Sequence, residues 1–575
     1  MLKAGSYMHR SKKRLTAIAA VSIAALALSA CAESEREPGS GDGGGGGTFV
    51  FGAAGDPGSL DPAFATDGET FRVTRQMFEG LLEPGEGSAE PQPGLAESYE
   101  ASEDGLTYTF QLKEGVKFHD GTDFNAEAVC FNFDRWYNWE GLAQSPAVSG
   151  YWQDVFGGFA STPDVPNIFK SCSAEDEFTA VIELTRVTGR FPAALTLSSF
   201  AMSSPTALEE YAADELGGSD EAPTLSSYAL EHPSGTGPFM LDNWDLSNGE
   251  VTLVRFDDYH GEKAGVEKLI FRTIPEGNTR KQELEAGEID GYDLVAPGDI
   301  ADLEDGGFNV LTRPAFNILY LGINQGASAQ IPPDAGINPA LADVRVRQAI
   351  AHAIDRESLV SSLLPDGAQV ATQFMPDTVS GYSTDVTTYD YDPAAAQALL
   401  EEAGAVGTTL KFYYPTEVSR PYMPDPGAIF EVISQNLTDV GFVIEPVALV
   451  WNPEYLDAVS SGLADIHLLG WTGDYDDAYN FIGTFFDAKA EGESKLDWGG
   501  FVNEDLFTQF AAADAEPDPD VREGLYQDLN NDIMDFLPGV PISHSPPALV
   551  VAENVDGLVP SPLTAEDFST VVFTD

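Results

Sequence analysis

The chain has 575 residues, too many for one hydrophobic core, so two or three domains are expected. Hydrophobic residues make up 43%, which suits a globular body, while 93 acidic against 29 basic residues give a formal net charge of −64. Such a surface repels nucleic acid and anionic lipid headgroups and excludes both as partners; cationic and zwitterionic solutes remain admissible, and the acidity reads as solubility or adaptation to salt, with an acidic funnel that attracts cationic ligands as the alternative.

The N-terminus comes first in chain order. His9, Arg10, Lys12, Lys13 and Arg14 form a basic region, and Leu15 to Ala30 is apolar or small, the pattern of a secretory signal peptide over residues 1–30. Leu28-Ser29-Ala30-Cys31 resembles the bacterial lipobox, in which cleavage falls before the cysteine and its sulfur carries a diacylglyceryl group. Two acyl chains hold a protein on a membrane where one is marginal. No later stretch is long and apolar enough to span a bilayer, so the lipid on Cys31 is the expected membrane attachment, on the extracytoplasmic face. Residues 31–47, rich in Gly, Glu and Ser and including Gly43 to Gly47, read as a flexible tether.

From Phe49 onward strands and helices mix. Leu106, Tyr108, Phe110 and Leu112 alternate with polar residues, a half-buried strand. Asn125 suits the cap of a helix carrying Val129, Phe133 and Trp136 on one face. Phe178 to Leu184, "VTLVRF", "KLIFRTI" and "LYLGIN" read as further strands. Asp343 caps an amphipathic helix with Val346, Ala349, Ile350, Ala353 and Ile354 on one face, and a second helix follows Asp355. Asp392-Pro393 opens another, which Gly404 closes. The class is α/β, in several domains.

Besides Cys31 the cysteines are Cys130 and Cys172. An oxidising compartment favours a bond between them, and the entropy of the loop it closes corresponds to about 4 kcal/mol; two free buried thiols are the alternative. Neither lies in a C-x-x-C pair, so redox catalysis is not expected. No nucleophile elbow, phosphate loop or zinc-binding H-E-x-x-H occurs. The seven histidines are scattered, Ser234 to Pro238 reads as a tight turn rather than a dinucleotide loop, and carboxylate pairs are expected by chance in so acidic a chain. The expectation is a binding protein with no catalytic residues, no metal and no cofactor.

Six stretches, in order, resemble the family-5 solute-binding proteins of ABC importers: Gly94 to Val129, "SGTGPF" from Ser234, "LYLGIN" with Asp343 to Glu357, "YDPAAAQALLEEAG", Gly470 to Phe481, and "LPGVPISH" from Leu537. The resemblance covers nearly all of the mature chain. It implies a periplasmic-binding-protein-like (type II) two-lobe clamp with an extra inserted subdomain. Lobe I would comprise residues 48–83, 200–314 and 544–575, the inserted subdomain 84–199 with both cysteines, and lobe II 315–543. Hinges would lie near Pro314 and Ser543, and His119 becomes a turn residue. The implied partners are a short peptide ligand and an ABC permease with its ATPase, the binding protein itself being a monomer. An oligosaccharide, a nickel chelate or a sensing role are the alternatives on the same scaffold.

Within the family, dipeptide and oligopeptide binders use the Asp of W-x-x-D for the ligand's α-ammonium; here that is Asp474, with Trp471 as an apolar wall. Dipeptide binders use the Arg of R-P-Y for the free carboxylate, which implies Arg420. The family often has Asp-Pro where this chain has Asp477-Ala478, and an ion pair with a surface carboxylate is the alternative role for Arg420. Aromatics such as Phe64, Phe71, Phe200, Trp451 and Tyr475 read first as core.

Overall fold

The computed structural model describes residues 46–219, 223–489 and 492–574. Cys31, the leader and most of the tether lie outside the described residues. Two large sheets organise the rest. In the seven-stranded sheet the order is Phe239–Asp245, Glu250–Arg255, Lys268–Thr273, Thr48–Ala53, Gly291–Tyr292, Ala548–Val551, Asn309–Thr312. Thr48–Ala53, the first strand in the chain, thus pairs in parallel with strands more than two hundred residues away on both sides.

The six-stranded sheet runs Gln369–Val370, Gly539–His544, Asn317–Ile323, Ile466–Thr472, Thr409–Thr416, Val443–Val450. Its strand Asn317–Ile323 is buried at every residue, as a near-continuous apolar run between two neighbours should be. Val443–Val450 lies at the edge and alternates in exposure, which lets it carry Pro446 without breaking a ladder. Pro541 is accommodated where the register between Gly539–His544 and Asn317–Ile323 shifts by a bulge.

A four-stranded sheet, Ala96–Ala101, Thr107–Leu112, Thr179–Leu184 and Phe169–Asp176 in spatial order, forms a third body. Tyr108, Phe110 and Leu112 face its core, together with Val129, Phe133 and Trp136 of the helix Ala126–Tyr137. Asn125 caps that helix by accepting the N–H of Ala128 at 3.0 Å. Cys130 on the helix and Cys172 on Phe169–Asp176 are bonded, with 5.1 Å between their Cα atoms. The helix Gly68–Met77 divides its faces: Phe71 joins this core, while Val73 and Met77 pack under the seven-stranded sheet.

Other local expectations have direct counterparts. Asp343 accepts from the N–H of Arg345 to cap Val344–Ala353, Asp355 caps Arg356–Leu363, and Asp392 caps Pro393–Ala403, which ends at Gly404 in the left-handed conformation. His119 braces the turn at Ser234 to Pro238: its Nε2 donates to the carbonyl of Gly237 at 3.0 Å, and its Nδ1 accepts from the N–H of Gly235 at 3.3 Å.

The chain passes between the two large sheets twice, through residues 313–316 and 545–547. The crossings are tied to each other. Asn317 Nδ2 donates to the Ser545 carbonyl at 2.7 Å, and the Ser545 N–H donates to Asn317 Oδ1 at 3.0 Å. The Arg313 N–H donates to the Pro547 carbonyl at 2.9 Å. Arg313 is anchored below them in a buried ion network: its guanidinium grips both Glu566 oxygens, at 2.6 and 3.0 Å, and Asp293 at 2.6 Å. Arg72 pairs with the same Asp293. Buried charges of this kind are tolerable only when paired and fully hydrogen-bonded, and here both arginines hold Asp293 ionised, well below the usual carboxylate range, against the opposing effect of burial.

Candidate functional site

Three strands of the six-stranded sheet run parallel: Thr409–Thr416 pairs with Val443–Val450 on one side and with Ile466–Thr472 on the other. Their C-terminal ends therefore emerge on one edge. Arg420 follows the first, Trp451 the second, and Asp474 the third, with Trp471 near its end. Ligands of open α/β sheets bind at such carboxyl ends, where loops present side chains from a rigid scaffold.

Local packing fixes that edge. Gly473 has to be glycine: a Cβ there would run into the Phe316 ring and stand 2.7 Å from Phe481. Its N–H donates to the Phe316 carbonyl at 2.9 Å, tying W-T-G-D to the crossing at residues 313–316. Gly470 likewise has no room for a side chain, because the Tyr422 ring lies against its Cα. Tyr422 in turn lies beside Arg420, whose charge favours the ionised form of the tyrosine against the effect of burial. The Arg420 guanidinium carbon sits 5.1 Å from the Trp451 ring centroid, a cation–π contact.

Asp474 is half-buried and is held on two sides. Its N–H donates to Asn480 Oδ1 at 2.8 Å, the same atom that accepts Trp471 Nε1–H at 3.3 Å, and Asn480 Nδ2 faces Asp474 Oδ2 at 3.4 Å. Tyr151, from the third body, lies beside the carboxylate and favours its ionised form. Burial pushes the Asp474 carboxyl up to about 6, and Asp154 adds to this; Asn480, Tyr151 and the charge of Arg75 pull the other way. Asp476 is also pushed up to about 6, by burial and by Asp477 and Glu90.

Among the described residues, neither Arg420 nor Asp474 has an ion-pair partner, and Arg420 Nε is buried without a hydrogen bond. None of the described carboxylates pairs with Arg420. Trp471 packs edge-on against Phe485, with ring centroids 6.0 Å apart. Phe64, Phe71, Phe200 and Tyr475 are buried among the aromatics of the third body's core. For Tyr475 this means that a residue following a strand of the six-stranded sheet inserts into a different body. Sequence reasoning did not find Tyr151 or Asn480. Nothing local marks Tyr151, and Asn480 was hidden inside a matched segment with no role attached to it.

A family model described as "Bacterial extracellular solute-binding proteins, family 5 Middle" matches residues 90–493. The dipeptide-binding protein of Escherichia coli is 32% identical over 536 residues, covering 91% of this chain and 94% of that protein. Heme-binding protein A of Haemophilus influenzae is 27% identical, covering 91% of each. Among solved structures, the ABC transporter-associated periplasmic binding protein DppA from Helicobacter pylori, in complex with the peptide STSA, superposes with a TM-score of 0.76 at 25% identity, covering 92% of this chain and 99% of that one. The fold is that of the type II periplasmic binding proteins. The chain belongs to the bacterial extracellular solute-binding proteins of family 5.

Proposed function

We propose that this protein captures short peptides at the cell surface and delivers them to an ABC permease and its ATPase. The observation that carries the reading is the pair of opposite charges, Arg420 and Asp474, on one edge of one sheet and without an ion-pair partner among the described residues. A short peptide is a zwitterion whose ends are costly to bury unless each meets an opposite charge with hydrogen bonds. Asp474 receives the α-ammonium. Arg420, already oriented over Trp451, offers a planar fork to the carboxylate, which a lysine does not. Trp471 supplies an apolar wall beside Asp474. The peptide-binding names of the E. coli and H. pylori relatives support the same ligand class.

Capture proceeds by closure of two lobes about the crossings at residues 313–316 and 545–547. Lobe I consists of residues 48–83, 200–314 and 544–575 with the insert 84–199, and lobe II of 315–543. The body works as a monomer, held on the extracytoplasmic face of the membrane by acyl chains on Cys31 and the tether that follows. No helix among the described residues is long and apolar enough to cross a membrane. Loss of detergent-phase partitioning in Cys31→Ser supports the anchor, and a wild type that already partitions into the aqueous phase contradicts it.

Native mass spectrometry of the purified protein, followed by release and sequencing of what it carries, tests the ligand class. Di- or tripeptides are expected. A glycan, a metal chelate or haem in their place would contradict the reading.

A further inference from the structure

The segment Arg186 to Arg190, which leaves the four-stranded sheet after Thr179–Leu184, grips the last residue of the helix Glu504–Asp514. That helix belongs to the other side of the proposed cleft: Leu506, Phe510 and Ala513 pack in the core of the six-stranded sheet. Arg186 Nη1 meets Asp514 Oδ2 at 2.6 Å, and Thr188 Oγ1 donates to Asp514 Oδ1 at 2.7 Å. The Gly189 N–H donates to the Asp514 carbonyl at 2.9 Å, and Arg190 Nε stands 3.7 Å from Oδ1. Gly189 packs against Arg522, whose guanidinium occupies the space a Cβ would take.

The grip continues into the ligand segment. The Arg190 guanidinium carbon lies 4.0 Å from the Tyr479 ring centroid. Arg522 holds both oxygens of Asp477, at 2.8 and 2.9 Å. Asn480, next to Tyr479, is the residue that positions Asp474. Within residues 474–480, therefore, one end carries the ammonium partner, Tyr475 inserts into the opposite core, and Asp477 and Tyr479 lead to the contacts around Asp514.

We propose that Asp514, clasped by Arg186, Thr188 and Gly189, is the latch that holds the two lobes closed, and that residues 474–480 couple it to ligand capture. This rests on the two-lobe peptide-binding reading. Asp514 and Arg186 are positioning residues: they act on affinity through the closed population and touch no ligand. A ligand that binds only the closed form has its apparent affinity reduced by the fraction of molecules that are closed. A charge-assisted clasp on a buried carboxylate is the kind of contact whose loss appears as faster release.

The test combines small-angle scattering of the ligand-free protein with stopped-flow and calorimetric binding of the dipeptide Ala-Phe, for wild type, Asp514→Asn and Arg186→Gln. Arg186 is half-exposed, so its variant is expected to fold even where the first does not. Each variant is expected to show a larger radius of gyration and to bind Ala-Phe about tenfold more weakly, with the change in the release rate. Unchanged affinity and unchanged scattering in both variants would overturn the latch. A wild type that binds no dipeptide removes the peptide reading alone, and the scattering of the ligand-free variants then decides the latch: expansion supports it, no change overturns it.

Discussion

Asn480 holds Asp474 at both its backbone and its side chain: Oδ1 accepts the Asp474 N–H at 2.8 Å while Nδ2 faces Oδ2 at 3.4 Å. The same Oδ1 takes Trp471 Nε1–H at 3.3 Å, so one amide sets the proposed ammonium partner and its apolar wall together. Asn480→Ala removes these contacts without removing a charge. Each is worth on the order of 1 kcal/mol net, so peptide affinity should fall about tenfold or more, and because Asn480 is buried the melting temperature should fall as well. Calorimetry beside a thermal melt checks this; an unchanged dissociation constant would show that Asp474 needs no such support.

Asp474→Asn should cost more. Removing one partner of a buried charge pair costs about 3–5 kcal/mol, a hundredfold to several-thousandfold in affinity. N-acetylating the peptide deletes the same interaction from the other side. The two losses should therefore not add in a double-mutant cycle, and additive losses would place the ammonium elsewhere. Arg420→Ala with C-terminal amidation should behave in the same way at the other end.

Acid should weaken binding through Asp474. Its carboxyl titrates near 6, raised by burial and Asp154 and lowered by Asn480, Tyr151 and Arg75. The ammonium requires the ionised form, so affinity is full above pH 7 and falls as pH drops through 6, by about tenfold per unit below it. The direction for folding is opposite, since a raised carboxyl favours the folded state when protonated. Calorimetry at pH 5 and pH 7.5 should show the loss in wild type, and the Asp474→Asn variant should lack it.

The bond between Cys130 and Cys172 closes a loop with a sequence separation of 42 residues. It ties the helix Ala126–Tyr137 to an edge strand of the four-stranded sheet, and its reduction should lower the stability of that body by about 2–4 kcal/mol. Unreduced peptide mapping should recover the linked pair, and denaturant melts with and without reductant should differ. Two alkylatable thiols in the native protein would contradict it.

Much of the local structure was legible in the sequence because its causes are local. Asn125, Asp343 and Asp392 each cap a helix through an oxygen two or three residues from the N–H it accepts, and Tyr108, Phe110 and Leu112 alternate as their strand requires. The sheet orders were not legible from pattern. Thr48–Ala53 is placed between strands 268–273 and 291–292, and no periodicity at residue 48 points to them. At the site, Asp474, Trp471 and Arg420 were visible only through family resemblance. Tyr151 and Asp514 were not visible at all, because each acts on a partner more than three hundred residues away. Tyr475 shows how burial misleads: its ring is core, as its type suggests, but the core belongs to the body across the proposed cleft.

The proposed site reads both ends of a short peptide. Titrating the wild-type protein, freed of carried ligand, with Ala-Phe, N-acetyl-Ala-Phe and Ala-Phe-amide in parallel tests it most directly. The free dipeptide should bind at least a hundredfold more tightly than either blocked form, on the order of 3 kcal/mol per end. Equal affinity for all three, or tight binding of an oligosaccharide with none for the dipeptide, would contradict it.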